Sequence, residues 1–186
     1  MKETKRIFLG SFIPDETLYR FFEKIKPELD KEAVIKWTRT PENLHLTWHF
    51  FGNMPVDKIK ILQKVLSGEL EKTFEIPVTI TGLNYFKRKN KPAVLYAAVK
   101  DESGELYRLF ETIQQKLYEH KLIPQKSTRF TPHITLGRIK KTGENFERVI
   151  QNLNRDFQPV PFKIFIPQII ESILSPQGAL YKPLQI

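Results

Sequence analysis

Two apolar runs in this chain repeat one polar pattern. Asn43-Leu44-His45-Leu46-Thr47-Trp48 and Pro132-His133-Ile134-Thr135-Leu136 each place a histidine and a threonine two residues apart. On a β-strand, residues i and i+2 point to one face. Each run therefore presents an imidazole beside a hydroxyl and turns Leu46 or Ile134 to the opposite, buried side. The chain has four histidines, and two fall in this setting. From such a composition roughly 0.3 chance matches to His-x-Thr are expected. The copies lie about half the chain apart, which reads as an internal duplication. Two imidazoles facing one cleft can act as general acid and general base. The plain alternative is a half-buried strand histidine bonded to a neighbouring carbonyl.

The length of 186 residues suits one compact domain or two small, closely joined lobes. A 40% hydrophobic content can build a core. No apolar run reaches 18 residues, so no membrane span is expected. The charged start, Met1 to Arg6, leads into a short strand-like run without the marks of a signal peptide. The lack of cysteine excludes disulfides, thiolate nucleophiles and cysteine-type zinc sites, and it fits a reducing cytoplasm. The net charge of +9 favours polyanionic partners, nucleic acid first among them.

Periodicity predicts an α+β fold, with four helices covering antiparallel sheet. Strands are expected at Arg6–Ile13, Ala33–Trp37, Leu44–Phe51, Phe74–Phe86, Ala93–Val99 and His133–Ile139. Further strands run from Pro161 to Ile173 and from Ala179 to Leu184. Pro14-Asp15-Glu16 opens the first helix, whose apolar stripe is Leu18, Phe21, Phe22 and Ile25. Asp57 is read as the cap of a second helix ending at Leu66, before Gly68. Leu106 to Leu117 and Phe146 to Leu153 carry the third and fourth stripes. Lys87-Arg88-Lys89-Asn90-Lys91-Pro92 is expected to be the loop of a long hairpin, and Ser175-Pro176-Gln177-Gly178 joins the last two strands.

The strings Asn43 to Gly52 and Arg129 to Arg138 resemble the paired signatures of the 2H phosphoesterases. Within that family the match is to the LigT-type RNA 2′,3′-cyclic phosphodiesterases, also called 2′-5′ RNA ligases. Arg6-Ile7-Phe8-Leu9, Lys36-Trp37 and Leu83-Asn84-Tyr85-Phe86 add softer matches. Trp48 departs from the smaller aliphatic residue common at its position. The resemblance implies two pseudo-symmetric lobes of antiparallel sheet with outer helices around a V-shaped groove. Residues 1–186 then form a single bilobal domain with no lobe boundary assignable from sequence. It implies hydrolysis of RNA 2′,3′-cyclic phosphate ends to 2′-phosphates, with His45 as proton donor and His133 as proton acceptor. The reverse reaction would make a 2′-5′ bond.

Thr47 and Thr135 suit the non-bridging phosphate oxygens. The family often has arginine near the phosphate at the position of Arg138. On an undistorted strand Arg138 would face away from His133, and a bulge at Gly137 would turn it back. Lys87, Arg88 and Lys89, with Arg129 and Phe130, are candidate RNA contacts; a solvated turn and core packing are their plain alternatives. No cofactor is implied. A metal held by His45, His49 and His133 is the weaker use of the same side chains, and His49 is read as groove wall. The expected partner is an RNA end, such as a tRNA fragment, met by a cytoplasmic monomer. Two other functions stay open: a non-catalytic module that binds RNA ends, and a phosphodiesterase acting on a small cyclic phosphate.

Overall fold

The computed structural model describes residues 3–13, 16–38, 41–71, 75–175 and 178–184. Its elements run β1 (Thr4–Phe12), α1 (Glu16–Asp30), β2 (Ala33–Trp37), β3 (His45–Pro55), α2 (Val56–Leu70), β4 (Ile76–Arg88) and β5 (Lys91–Lys100). They continue with α3 (Glu105–Glu119), β6 (His133–Thr142), α4 (Phe146–Arg155), β7 (Val160–Ile164), β8 (Gln168–Ser175) and β9 (Gly178–Pro183). All strand pairs are antiparallel. The fold is α+β, as the periodicity predicts.

The strand order is β7-β4-β5-β6-β3-β1-β8-β9, with β2 added on β6. The centre of this order is β6 beside β3, and there the register holds one pair, Leu46 opposite Ile134. On one side of that bridge lie β7, β4, β5 and β6 with β2, and on the other β3, β1, β8 and β9. The helices divide in the same way: α1 packs on α4 and β2, while α4 packs on β4. In the other half α2 packs on α3 and β3. Neither half is one stretch of chain, because α1 follows β1 but covers the half built on β6. Leu46 and Ile134 are fully buried, as are Leu9 of β1, Leu18 of α1, Leu62 of α2 and Ile113 of α3. Burying that side leaves the opposite face of the sheet for the histidines.

Several expectations needed correction. Pro161–Ile173 is two strands. β7 pairs with β4 in one half and β8 with β1 in the other, so the chain must cross between them. The Ser11 hydroxyl pins that crossing by donating to the Phe165 carbonyl at 2.7 Å. The hairpin loop shrinks to Lys89-Asn90, both at positive φ, because the ladder runs on to Arg88 opposite Lys91. The second helix runs through Gly68 to Leu70, where a Cβ would meet open space. Asp57 lies inside it and Pro55 takes the cap position. The expected helix opening at Pro14-Asp15, the strand start at Phe74 and the turn at Pro176-Gln177 lie outside the described residues.

Candidate active site

The Leu46–Ile134 bridge sets the site. Since β3 and β6 are antiparallel, Thr135 falls beside His45 and Thr47 beside His133 on one face. All four side chains are half-buried. The two histidines are wired alike. His45 Nδ1 donates to the Asn43 carbonyl at 2.7 Å, and His133 Nδ1 donates to the Thr131 carbonyl at 2.7 Å. A carbonyl can only accept, so Nδ1 carries the proton in both rings. Each Nε2 is thereby left as the nitrogen able to exchange a proton with a substrate.

Aromatic rings wall both imidazoles. Phe8 and Tyr181 stand with ring centroids 4.9 Å from that of His45. Phe86 and Tyr96 stand 4.9 and 5.2 Å from that of His133. Burial pushes the His45 ring below the ordinary imidazole range; the Asn43 carbonyl opposes this, and the charge of His133 adds to it. Burial does the same to His133, opposed by the Thr131 carbonyl. The influence of one imidazole on the other is the electrostatic mark of their closeness.

A β-bulge follows each motif. Opposite β1, Gly10 pairs with Thr47 and Leu9 with His49, leaving Trp48 as the extra residue. Opposite β5, Tyr96 pairs with Thr135 and Leu95 with Gly137, leaving Leu136 as the extra residue. The bulge reverses the alternation beyond it. Arg138 consequently shares the face of Thr135, as the sequence reading required, although the extra residue is Leu136 and not Gly137. The same bulge corrects the reading of His49 as groove wall. It faces the helices, with Nδ1 3.1 Å from Gln114 Nε2 on α3. The three histidines weighed for a metal therefore do not assemble. Among the described residues no group of three His, Cys, Asp or Glu side chains is placed to hold an ion.

Sequence reasoning missed Tyr181 and Tyr96, and gave Phe86 and Arg6 only within the softer family matches, without a place beside the histidines. Arg6 shares the strand face of Phe8, two residues on, so alternation alone was signal enough. Its guanidinium lies over the Phe50 ring, 5.3 Å from the centroid, and its buried Nε has no hydrogen-bond partner in the described structure. Counting from the bulges, Phe50 holds the position that Arg138 holds in the other half. Burial pushes the Tyr181 phenol up, while the charges of Arg138 and Arg6 pull it partly back. Arginines from both halves thus act on one side chain beside His45.

The outer candidates separate. Phe130 is stacked with Phe110 and Trp48, centroids 4.3 and 5.6 Å apart, among core rings. Arg129 is exposed on the segment entering β6. Lys87 turns to the helix side, 3.9 Å from Glu147, which also accepts from the Tyr85 hydroxyl. Arg88 falls on the face of Phe86 and therefore of His133, and Lys89 sits in the turn. A separate cavity of about 430 Å³, lined by Phe21, Ile25, Leu83, Leu153, Phe157 and Val160, opens between α1 and α4. It contains none of the motif residues.

A family model described as the 2′-5′ RNA ligase superfamily matches residues 13–165. A protein of Thermotoga maritima named RNA 2′,3′-cyclic phosphodiesterase is 29% identical over 179 residues, 96% of this chain and 92% of the relative. A protein of the same name from Archaeoglobus fulgidus is 30% identical over 168 residues, 88% of this chain and 91% of the relative. A crystal structure from Thermus thermophilus shares the fold with a TM-score of 0.73 at 22% identity, covering 97% of this chain and 95% of that one. E. coli LigT complexed with 3′-AMP does so with a TM-score of 0.69 at 19% identity, covering 98% and 97%. The paired histidine strands, the strand order and these matches agree, and the chain belongs to the 2′-5′ RNA ligase superfamily.

Proposed function

We propose that this protein hydrolyses 2′,3′-cyclic phosphate ends of RNA to 2′-phosphates, with His45 as proton donor and His133 as proton acceptor. The observation that carries the reading is the matched wiring of the two imidazoles at the Leu46–Ile134 bridge. Relatives with this name align over nearly the whole chain, and the substrate class is carried over from them.

In the proposed step a water oxygen attacks phosphorus in line with O3′. The water gives its proton to Nε2 of His133 as the new P–O bond forms. The P–O3′ bond breaks, and O3′ takes the proton from Nε2 of His45. Acid–base assistance of this kind contributes about 10²–10⁴-fold. The Thr47 and Thr135 hydroxyls and the Arg138 guanidinium are proposed to stabilise the charge that builds on the non-bridging oxygens. Replacing water by a 5′-hydroxyl would run the same geometry toward a 2′-5′ bond.

The proposal includes one bilobal unit over residues 1–186, arisen by internal duplication; the twin bulges and twin hydrogen bonds support it. Action as a cytoplasmic monomer on ends such as those of tRNA fragments belongs to the same proposal. Among the described residues no helix is long and apolar enough to cross a membrane. The test is incubation with an oligonucleotide ending in a 2′,3′-cyclic phosphate, in a chelator, followed by identification of the product. A 2′-phosphate is expected. No product would overturn the activity, and a 3′-phosphate would overturn O3′ as the leaving oxygen.

A further inference from the structure

The face that carries the histidines differs between the two halves of the sheet. Across β4, β5, β6 and β2 the register aligns Phe86, Val94, Arg138 and Lys36 in one row. In the next row, farther from His133, Arg88 lies opposite Lys91, and Lys141 lies opposite Val34. Rows on one face are two residues apart, about 7 Å along a strand. Lys36 falls on this face because its neighbour Trp37 turns the other way, donating its indole N–H to Asp30 of α1. Lys36, Arg88, Lys91, Arg138 and Lys141 are all exposed. No described Asp or Glu stands in either row. The carboxylate of Glu147 is spent on the helix side, on Lys87 and Tyr85.

The matching rows of the other half are built from different material. The first holds Phe50, Phe8, Ile170 and Pro183. The second brings in a single cation, Arg6, opposite Asn53, with its guanidinium over the Phe50 ring. Beyond the rings beside each histidine, one half continues in aromatic and apolar side chains and the other in a strip of positive charge that begins at Arg138.

We infer that the RNA strand on the 5′ side of the reacting phosphate leaves the site across β4–β5–β6–β2, its phosphates lying on these two cationic rows. The inference rests on the RNA reading above and narrows it to a strand of three or more nucleotides. A cyclic mononucleotide has one phosphate, held at the histidines and Arg138, and leaves the rest of the rows unused; a trinucleotide supplies two more. A single-stranded backbone neutralised in this way binds with a salt dependence that steepens by about 0.7 in log–log slope per phosphate engaged.

The test compares a trinucleotide ending in 2′-phosphate, a ligand that is not turned over, with the matching mononucleotide. Binding is measured for the wild type, for Lys36→Glu, Arg88→Glu and Lys141→Glu, and for Arg148→Glu on the exposed side of α4. The trinucleotide is expected to bind more tightly than the mononucleotide. Each reversal on the strip should weaken its binding about tenfold and flatten its salt slope. Arg148→Glu should change neither. Turnover of a 2′,3′-cyclic mononucleotide should be the same in Arg148→Glu as in the wild type. Equal binding of the two ligands, or an equal loss in Arg148→Glu, would overturn the inference. A wild type that turns over no cyclic phosphate would defeat the activity reading instead, and the binding measurements would still decide the strip.

Discussion

Leu46 and Ile134 face each other at the one registered pair between β3 and β6, and each is the residue between a motif histidine and its threonine. A pair chosen for burial thereby sets the relative position of two catalytic candidates. Both side chains are fully buried. Truncating a core leucine or isoleucine to alanine typically costs about 2–5 kcal/mol, whereas Ile→Val costs about 0.5–1.5 kcal/mol. Leu46→Ala is expected in the first range and Ile134→Val in the second, measured by denaturant unfolding. Ile134→Val should keep its activity, since the backbone bridge survives. A Leu46→Ala loss below about 0.5 kcal/mol would show that the bridge tolerates a void.

His45→Ala and His133→Ala should each lower turnover of a cyclic-ended oligonucleotide by about 10²–10⁴-fold. Each imidazole makes one hydrogen bond to a carbonyl two residues away and packs on the rings beside it, apart from the buried core on the other face. Circular dichroism should show that each variant still folds. Full turnover by either folded variant would rule out paired proton transfer.

Chelation separates this scheme from a metal-assisted one. Proton transfer between two imidazoles and water requires no ion, so exhaustive treatment with a chelator should leave kcat and KM unchanged. Activity lost to the chelator and restored by zinc or manganese would count against the two-histidine step.

Both motif histidines are pushed below the ordinary imidazole value, about 6.5, chiefly by burial. In the proposed step the free enzyme acts with His133 neutral and His45 charged. The two titrations limit opposite sides of the profile, so kcat/KM should peak below about pH 6.5. A bound phosphate anion favours imidazolium, and the profile of kcat should accordingly lie at higher pH. Tyr181→Ala removes a ring packed on His45 and admits water, which should move the alkaline limb of kcat/KM upward. The same shifts affect stability. A histidine whose folded value is depressed binds its proton more readily in the unfolded chain. Stability is therefore lost as pH falls from about 6.5 through the folded values.

The sequence made one scale of this structure readable and hid another. Alternation within a run placed His45 with Thr47 and His133 with Thr135, because it depends only on neighbours along one strand. The helix stripes were readable for the same reason: Leu18 and Phe22, or Phe110 and Ile113, repeat with the turn of a helix and are buried. The bulge at Trp48 was hidden because it is a property of a pair of strands, which is why His49 was assigned to the wrong face. The bulge in the second motif was legible only one residue off, at Gly137 instead of Leu136. Tyr181 and Tyr96 were missed because each reaches its histidine from another strand. Lys87 and Arg88 looked alike as loop residues, and only the two-residue turn puts them on opposite faces.

Gly137 offers a way to test whether Arg138 works by position or by charge alone. A Cβ on Gly137 would come within 2.6 Å of Ile35 Cγ2, 3.1 Å of the Lys36 carbonyl oxygen and 3.2 Å of Trp37 Cα. Two of those three neighbours are backbone atoms, so β2 must move away from β6 to admit a methyl group. Overpacking of this kind costs about 1–3 kcal/mol. Gly137→Ala is expected to lose stability in that range, read by denaturant unfolding. It should also raise KM, because the strand segment that aims Arg138 shifts with the bulge. Arg138→Lys keeps the charge and loses the planar fork that can grip two phosphate oxygens; it should raise KM with little change in stability. If Arg138→Lys is kinetically silent while Gly137→Ala is impaired, the arginine is a source of field and not a positioned ligand. If both are impaired and guanidinium in solution restores Arg138→Ala, the position of the fork at the phosphate is what the bulge exists to secure.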